Sequence, residues 1–148
     1  MKIRHKLLVL LAATAALAGL VFGAVAPPLS RSAIESRYIE RLRSEADLLA
    51  LLAQRATSQD AQGLAHDWGS RLDVRVTLVD ASGKVIGDSA ATQERLAQLD
   101  NHSGRPEIRA ALTGTWGQST RRSDSTGEEY FYLARRLEGS PPVAFVRI

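Results

Sequence analysis

Three hydrophobic periods succeed one another along this chain. From Leu7 to Ala26 the sequence is apolar without a break, carrying no charge and nothing more polar than Thr14. As a helix, at about 1.5 Å per residue, this stretch covers about 30 Å, the thickness of a bilayer's hydrocarbon core. Lys2, Arg4 and Lys6 precede it, and Pro27-Pro28 is expected to close it. The pattern predicts a transmembrane helix over 7–26 behind a cytoplasmic tail of residues 1–6. A cleaved signal peptide ending at Ala24-Val25-Ala26 is the competing reading. The apolar run exceeds the roughly 7–15 residues usual in a signal peptide, and Pro27 directly after the cut hinders the peptidase, so a retained anchor is preferred. Either way the remainder is exported. Three cationic side chains precede the span and four (Arg31, Arg37, Arg41, Arg43) follow it closely, so their count does not set orientation. The leading charges abut the span and a long domain translocates largely regardless of charge, which places the N-terminus inside and the domain outside.

From Ser30 to Thr57 the period becomes helical. The stretch lacks Gly, is rich in Ala, Leu, Arg and Glu, and opens with Ser30 and Ser32 as candidate caps. Ile39, Leu42, Ala46, Leu49, Ala53 and Ala56 recur at spacing 3-4-3-4-3, the seam of a helix that pairs with another helix. Leu48, Leu51 and Leu52 make a second apolar face. Such a helix needs two partners, and the expected pair is its own domain and a second copy of the chain. A simple amphipathic core helix rich in small residues explains the same spacing. Gln59 to Asp73 is polar, punctuated by Gly63 and Gly69, and reads as a loop or a short broken helix.

Beyond Asp73 the period is two. Val74, Val76 and Leu78 alternate with Arg75 and Thr77 as a half-buried strand, Asp80-Ala81-Ser82-Gly83 turns, and Lys84 to Asp88 returns. Ala90 to Leu99 is helix-compatible. Pro106 suits a first helical position, Glu107 complements the dipole, and Gly114 stops that helix. Trp116–Ser123 and Glu128–Arg136 read as strands about an Asp124–Gly127 turn, with Tyr130, Tyr132 and Ala134 on one face and Phe131 and Leu133 on the other. After a Gly139–Pro142 turn, Val143–Ile148 is a last apolar strand. The order predicts an α+β fold: a long juxtamembrane helix over 30–57, then a domain over 58–148 with about five antiparallel strands and short flanking helices. The chain ends inside a hydrophobic strand, which reads as a sequence meant to continue.

Charge and composition narrow the classes of function. All 16 Asp and Glu lie beyond the span, and they match the Lys and Arg found there, so the exported part is neutral and a nucleic-acid surface is not indicated. With no Cys, disulfide scaffolds and thiolate metal sites are excluded. His66 and His102, with Asp67, Asp100 and Glu107, lack a paired metal-ligand spacing, so no metal is expected. Ser89, Ser103, Ser119 and Ser123 lack a Gly-x-Ser-x-Gly elbow, so no catalytic residue is assigned. The better candidates are for binding. Arg121 and Arg122 beside Tyr130 and Tyr132 would set guanidinium groups and phenols over a sheet face, fit for an anionic or polar ligand. Asn101, His102 and Arg105 form a second candidate contact, although a turn and a helix start, with Arg105 paired to Glu107 or another carboxylate, explain them nearly as well.

Several blocks carry a resemblance: the span, the long helix, Val76-Thr77-Leu78-Val79-Asp80 with Gly83 and Asp88-Ser89, then Asn101-His102-x-x-Arg105-Pro106-Glu107-Ile108-x-Ala110-Ala111-Leu112-x-Gly114, Arg121-x-Ser123 and the Tyr-rich strand. Together they resemble the extracytoplasmic, PAS-like sensor region of bacterial two-component sensor histidine kinases, particularly the phosphate-regulon type. The resemblance implies an inner-membrane location, a homodimer and an extracytoplasmic ligand or protein as signal. It also implies a response regulator reached only through a kinase core. That core, with its phosphoacceptor histidine and ATP site, is not among these residues, and no cofactor is implied in them. Binding would shift the 30–57 helix against its twin and pass the movement through the membrane. A stand-alone exported or anchored binding module is the alternative.

Overall fold

A computed structural model describes residues 2–122, 127–139 and 142–148, with side chains except at 2 and 25–34. Two compact units divide the chain, Met1–Glu40 and Arg41–Ile148. Helix α1 (Lys2–Ala53) belongs to both. In the first unit, Ile3–Ala24 is the one helical stretch, among the described residues, long and apolar enough to cross a membrane, and its apolar side chains point outward. The Thr14 hydroxyl donates to the Leu11 carbonyl at 2.9 Å, so the polar exception in this stretch is satisfied within the helix, as a lipid environment requires. Pro27-Pro28 does not end the helix as expected. A proline removes a ladder donor, but its ring holds φ near the helical value, so helix can continue on both sides. The far end also differs from expectation, at Ala53 rather than Thr57.

The second unit is built on a five-stranded antiparallel sheet: β1 (Thr77–Val79), β2 (Val85–Asp88), β3 (Trp116–Arg122), β4 (Glu129–Arg136) and β5 (Phe145–Arg147), in the order β2-β1-β5-β4-β3. The fold is α+β, as the period switch predicts. Strand β5 lies at the centre, between β1 and β4. The Asp124–Gly127 and Gly139–Pro142 turns fall largely outside the described residues.

One sheet face packs on Leu42, Ala46, Leu49, Ala50 and Ala53 of α1 and on Ala61 and Ala65 of α2 (Ala61–Leu72), around Leu78, Leu133, Val143 and Val146. This corrects the seam. Leu42, Ala46, Leu49 and Ala53 are core residues of their own domain, not contacts to a second helix. Ile39 is half-buried, and half-buried Ala56 lies past the end of α1. Helical 3-4 spacing marks the buried stripe without saying whether a helix or a sheet covers it, and alanines let a helix lie close to a sheet. Leu48, Leu51 and Leu52 are instead 50%, 62% and 43% exposed.

Helix α2 is a second correction: a continuous 12-residue helix stands where the sequence predicts a loop or a short broken helix. Its glycine at 69 serves contact rather than breakage. A Cβ on Gly69 would stand 2.4 Å from Ser89 Cβ, and one on Gly87 of β2 would stand 2.4 Å from the Ala61 carbonyl oxygen. Buried Gln62 fastens this junction, accepting from the Asp88 amide at 2.9 Å and donating to the Ala91 carbonyl at 2.7 Å. Of Ala90–Leu99, α3 keeps one turn (Gln93–Leu96), and its Leu96 closes a small apolar cluster with Val85 and Ala91.

Candidate functional site

Helix α4 (Pro106–Thr113) opens with Pro106 in its first turn and ends at Gly114. It packs on the sheet face opposite α1, with Ile108 and Ala111 against Val79, Ala134 and Phe145. A cross-strand row explains its seat. Asp88, Thr77, Arg147, Ala134 and Gly117 are successive register partners from β2 to β3. The small pair Ala134 and Gly117 leaves room for α4. A Cβ on Gly117 would lie 1.9 Å from the Glu107 carbonyl oxygen and 2.7 Å from the Ala111 nitrogen, so backbone rests on backbone there. The other half of the row is polar.

Glu107 is where the halves meet. Its side chain is wholly buried and accepts three hydrogen bonds: from Ser119 Oγ at 2.6 Å, Arg121 Nη2 at 3.1 Å and Arg147 Nε at 2.8 Å. Burial raises its pKa, but the bonds from Ser119 and Arg147 outweigh that, and the carboxyl is held below its usual value. Arg147 is 5% exposed. Burial lowers its pKa, and the bond and charge of Glu107 act to restore it. Both guanidinium groups lie against Tyr132, with Cζ 4.3 Å (Arg121) and 4.2 Å (Arg147) from the ring centroid. From Arg147 the chain of polar contacts continues to Thr77 Oγ1 at 3.4 Å, which donates to Asp88 Oδ2 at 3.0 Å. Buried Asp88 also receives Arg75, through Nε at 3.1 Å and Nη2 at 3.0 Å.

The structure sorts the sequence candidates. Arg121, Tyr130 and Tyr132 share this face, the two phenol rings 6.5 Å apart and Tyr130 exposed. Arg122 does not join them. Strand alternation turns it away, and its Nε donates to the Gly127 carbonyl at 2.8 Å. Asn101 holds two turns together: its Nδ2 donates to the Ser82 carbonyl at 3.0 Å and its Oδ1 accepts from the Ser103 amide at 2.8 Å. Gly83 at φ 86° fits beneath it, where a Cβ would stand 2.5 Å from Asn101 Oδ1. Arg105 does not pair with Glu107. It faces Asp100 at 3.9 Å. His66 lies exposed on α2, away from the sheet. Sequence reasoning missed Arg75, Thr77, Asp88 and Arg147 as members of this network and misplaced Glu107. The usable signal was that Val79 shares a face with Thr77, and Phe145 with Arg147, so the second face of these strands is also buried.

His102 completes the electrostatics. It is 7% exposed, and among the described residues neither its Nδ1 nor Arg121 Nε, both buried atoms, has a hydrogen-bond partner. Burial first, then Arg147, Arg105 and Arg75, lower the His102 pKa from 6.5 to about 4, with Asp88 opposing. The imidazole is therefore neutral near pH 7. Between these two values the unfolded chain binds a proton that the folded chain refuses, so its contribution is whole above pH 6.5 and is lost as pH falls toward 4. At about 1.4 kcal/mol per unit, the loss approaches about 3 kcal/mol by about pH 4.5. Thermal melts of His102→Gln are expected to show a flatter decline through this window than the native chain. An unchanged slope would assign the decline to another group.

The comparisons with known proteins agree with this architecture. No curated protein matches the chain in sequence. The single Cache-like (sCache_like) family matches residues 33–139, from within α1 to just past β4. This match covers most of the chain and all the network residues except Arg147. The module is an extracytoplasmic sensor domain of a kind typical of sensor kinases and chemoreceptors. The chain belongs to the single Cache-like family.

Proposed function

We propose that the chain is the signal-input portion of a membrane-bound two-component sensor histidine kinase. The Asn101–Gly114 block points to the phosphate-regulon type, held by α1 in the bacterial inner membrane with the sensor domain outside. One observation carries the reading: the buried pair Arg147 and Glu107 is joined by half-buried Arg121 on the sheet face that α1 does not cover. Buried ion pairs are poor stabilisers, and apolar residues of similar volume often serve a fold as well or better. A sensor has a use for them. Arg75, Arg121 and Arg147 stand against Asp88 and Glu107, so the set carries one excess positive charge while His102 is neutral. A small anionic ligand entering at Arg121, whose side chain is 29% exposed, and at the exposed Tyr130 offsets that charge and competes with Glu107 for the guanidinium.

The partner is a second copy of the chain. Leu48, Leu51 and Leu52 form the α1 face that the domain leaves uncovered, and a second copy anchored by the same span brings the same face in parallel. Movement of α1 against its twin relays the signal to a kinase core, and through it to a response regulator. Leu51→Glu is expected to shift the full chain in detergent from dimer toward monomer in light scattering. A native chain that is monomeric at all concentrations sinks the pairing. Reading the coding sequence beyond Ile148 tests the kinase assignment. A second run of about 20 apolar residues, then a helix with a histidine followed by an acidic residue, supports it, and a stop codon contradicts it.

A further inference from the structure

Strand β3 has the charged network on one side and α1 on the other. Ser119 and Arg121 reach Glu107, while the alternate residues Trp116 and Gln118 face α1. On that side Trp116 is held by two cations, with Arg43 Cζ at 5.9 Å and Arg135 Cζ at 5.3 Å from its ring centroid. Arg43, on α1, also approaches Gln118 Oε1 at 3.5 Å. Arg135, the register partner of Trp116 on β4, donates to Asp47 Oδ1 at 2.8 Å, and Asp47 lies one helical turn after Arg43. The ring is thus clamped between helix and sheet by contacts that begin on both.

We propose that β3 is the lever of this sensor and that Trp116, clamped by Arg43 and by the Arg135–Asp47 pair, transfers displacement at Ser119 and Arg121 to α1. The inference rests on the network being the input site. Its physical basis is a continuous packed path: Glu107 holds Arg121 and Ser119, these fix the position of β3, and β3 sets how Trp116 sits against α1. Freeing Arg121 from Glu107, as a competing anion does, loosens the strand and opens the clamp. Arg75 and Asp88, at the far edge of the same face, lie off this path, so the lever has a direction.

Trp116 reports on itself. In the full chain carrying Trp68→Phe it is the sole tryptophan, and acrylamide quenching measures its exposure. Arg43→Gln is expected to raise the quenching constant directly. Arg121→Gln and the milder Ser119→Ala, both on the opposite face, are expected to raise it in the same direction, and Arg75→Gln to leave it at the native value. The lever is overturned if Ser119→Ala and Arg121→Gln leave Trp116 unchanged while Arg43→Gln exposes it, or if Arg75→Gln exposes it equally. No ligand enters this experiment. A chain that binds no anion while Trp116 responds sinks the ligand reading alone, and anion binding with a silent Trp116 sinks the lever alone.

Discussion

Glu107→Ala is expected to lower the unfolding free energy of the full chain by about 3–5 kcal/mol, the scale of breaking a buried ion pair by removing one partner. Three donors lose their acceptor at once, and Arg147, almost wholly buried, keeps its charge with nothing opposite it. A domain whose whole stability is about 5–15 kcal/mol is left near the edge of folding. Urea unfolding of the full chain in detergent, followed by far-ultraviolet circular dichroism, reads the loss. The double change Glu107→Leu with Arg147→Met is expected to recover most of it, since the buried cation leaves with its partner and the Arg121 that remains reaches solvent. It leaves Arg121 in place without its competing carboxylate, so anion binding should persist, which separates what the Glu107–Arg147 pair does for the fold from what Arg121 does for the ligand. Equal instability of the single and double variants would show that the packing of α4, not charge, fails.

Gly117→Ala is the second large effect. The added methyl falls 1.9 Å from the Glu107 carbonyl oxygen and 2.9 Å from Ala110 Cβ. The first obstacle is backbone, which cannot turn aside as a flexible side chain can. Helix α4 must lift, and the expected cost is about 3 kcal/mol or more, at or above the top of the usual overpacking range. Lifting α4 also draws Glu107 away from Ser119 and Arg121, so the variant loses those hydrogen bonds as well as packing. Gly63→Ala is the control. Nothing lies within 4 Å of a Cβ there, and the change gains up to about 1 kcal/mol of helix propensity. Thermal melts of the two variants should move in opposite directions. A neutral Gly117→Ala would mean that α4 has slack over β3.

Local periodicity told the fold class and most of the strands, because those depend on alternation within a few residues. Val76 to Val79, Tyr130 to Ala134 and the Pro106–Gly114 helix each declare themselves in the sequence. The α1 stripe shows where this stops. Leu42, Ala46, Leu49 and Ala53 state that one side of the helix is buried, but the covering surface is a sheet made from residues 25 to 100 positions away. Helix α2 was hidden for a related reason: Gly63 and Gly69 read as punctuation, whereas Gly69 is the contact point with Ser89. The site was half legible. Strand alternation placed Arg121, Tyr130 and Tyr132 together, yet the same alternation removes Arg122, which adjacency had bracketed with Arg121. Arg147 and Glu107 are 40 positions apart, and nothing local marks them as partners. Only the central place of β5 brings them within reach.

The most direct test of this account is a titration of the full chain, in detergent, with inorganic phosphate, citrate and acetate, read as the shift in thermal unfolding temperature. The native chain is expected to be stabilised by at least one of these anions, and Arg121→Gln to lose that shift while Arg122→Gln keeps it. A native chain unmoved by all three, or Arg121→Gln stabilised as fully as the native chain, would contradict the assignment of the Arg147–Glu107–Arg121 face as the site where the signal enters.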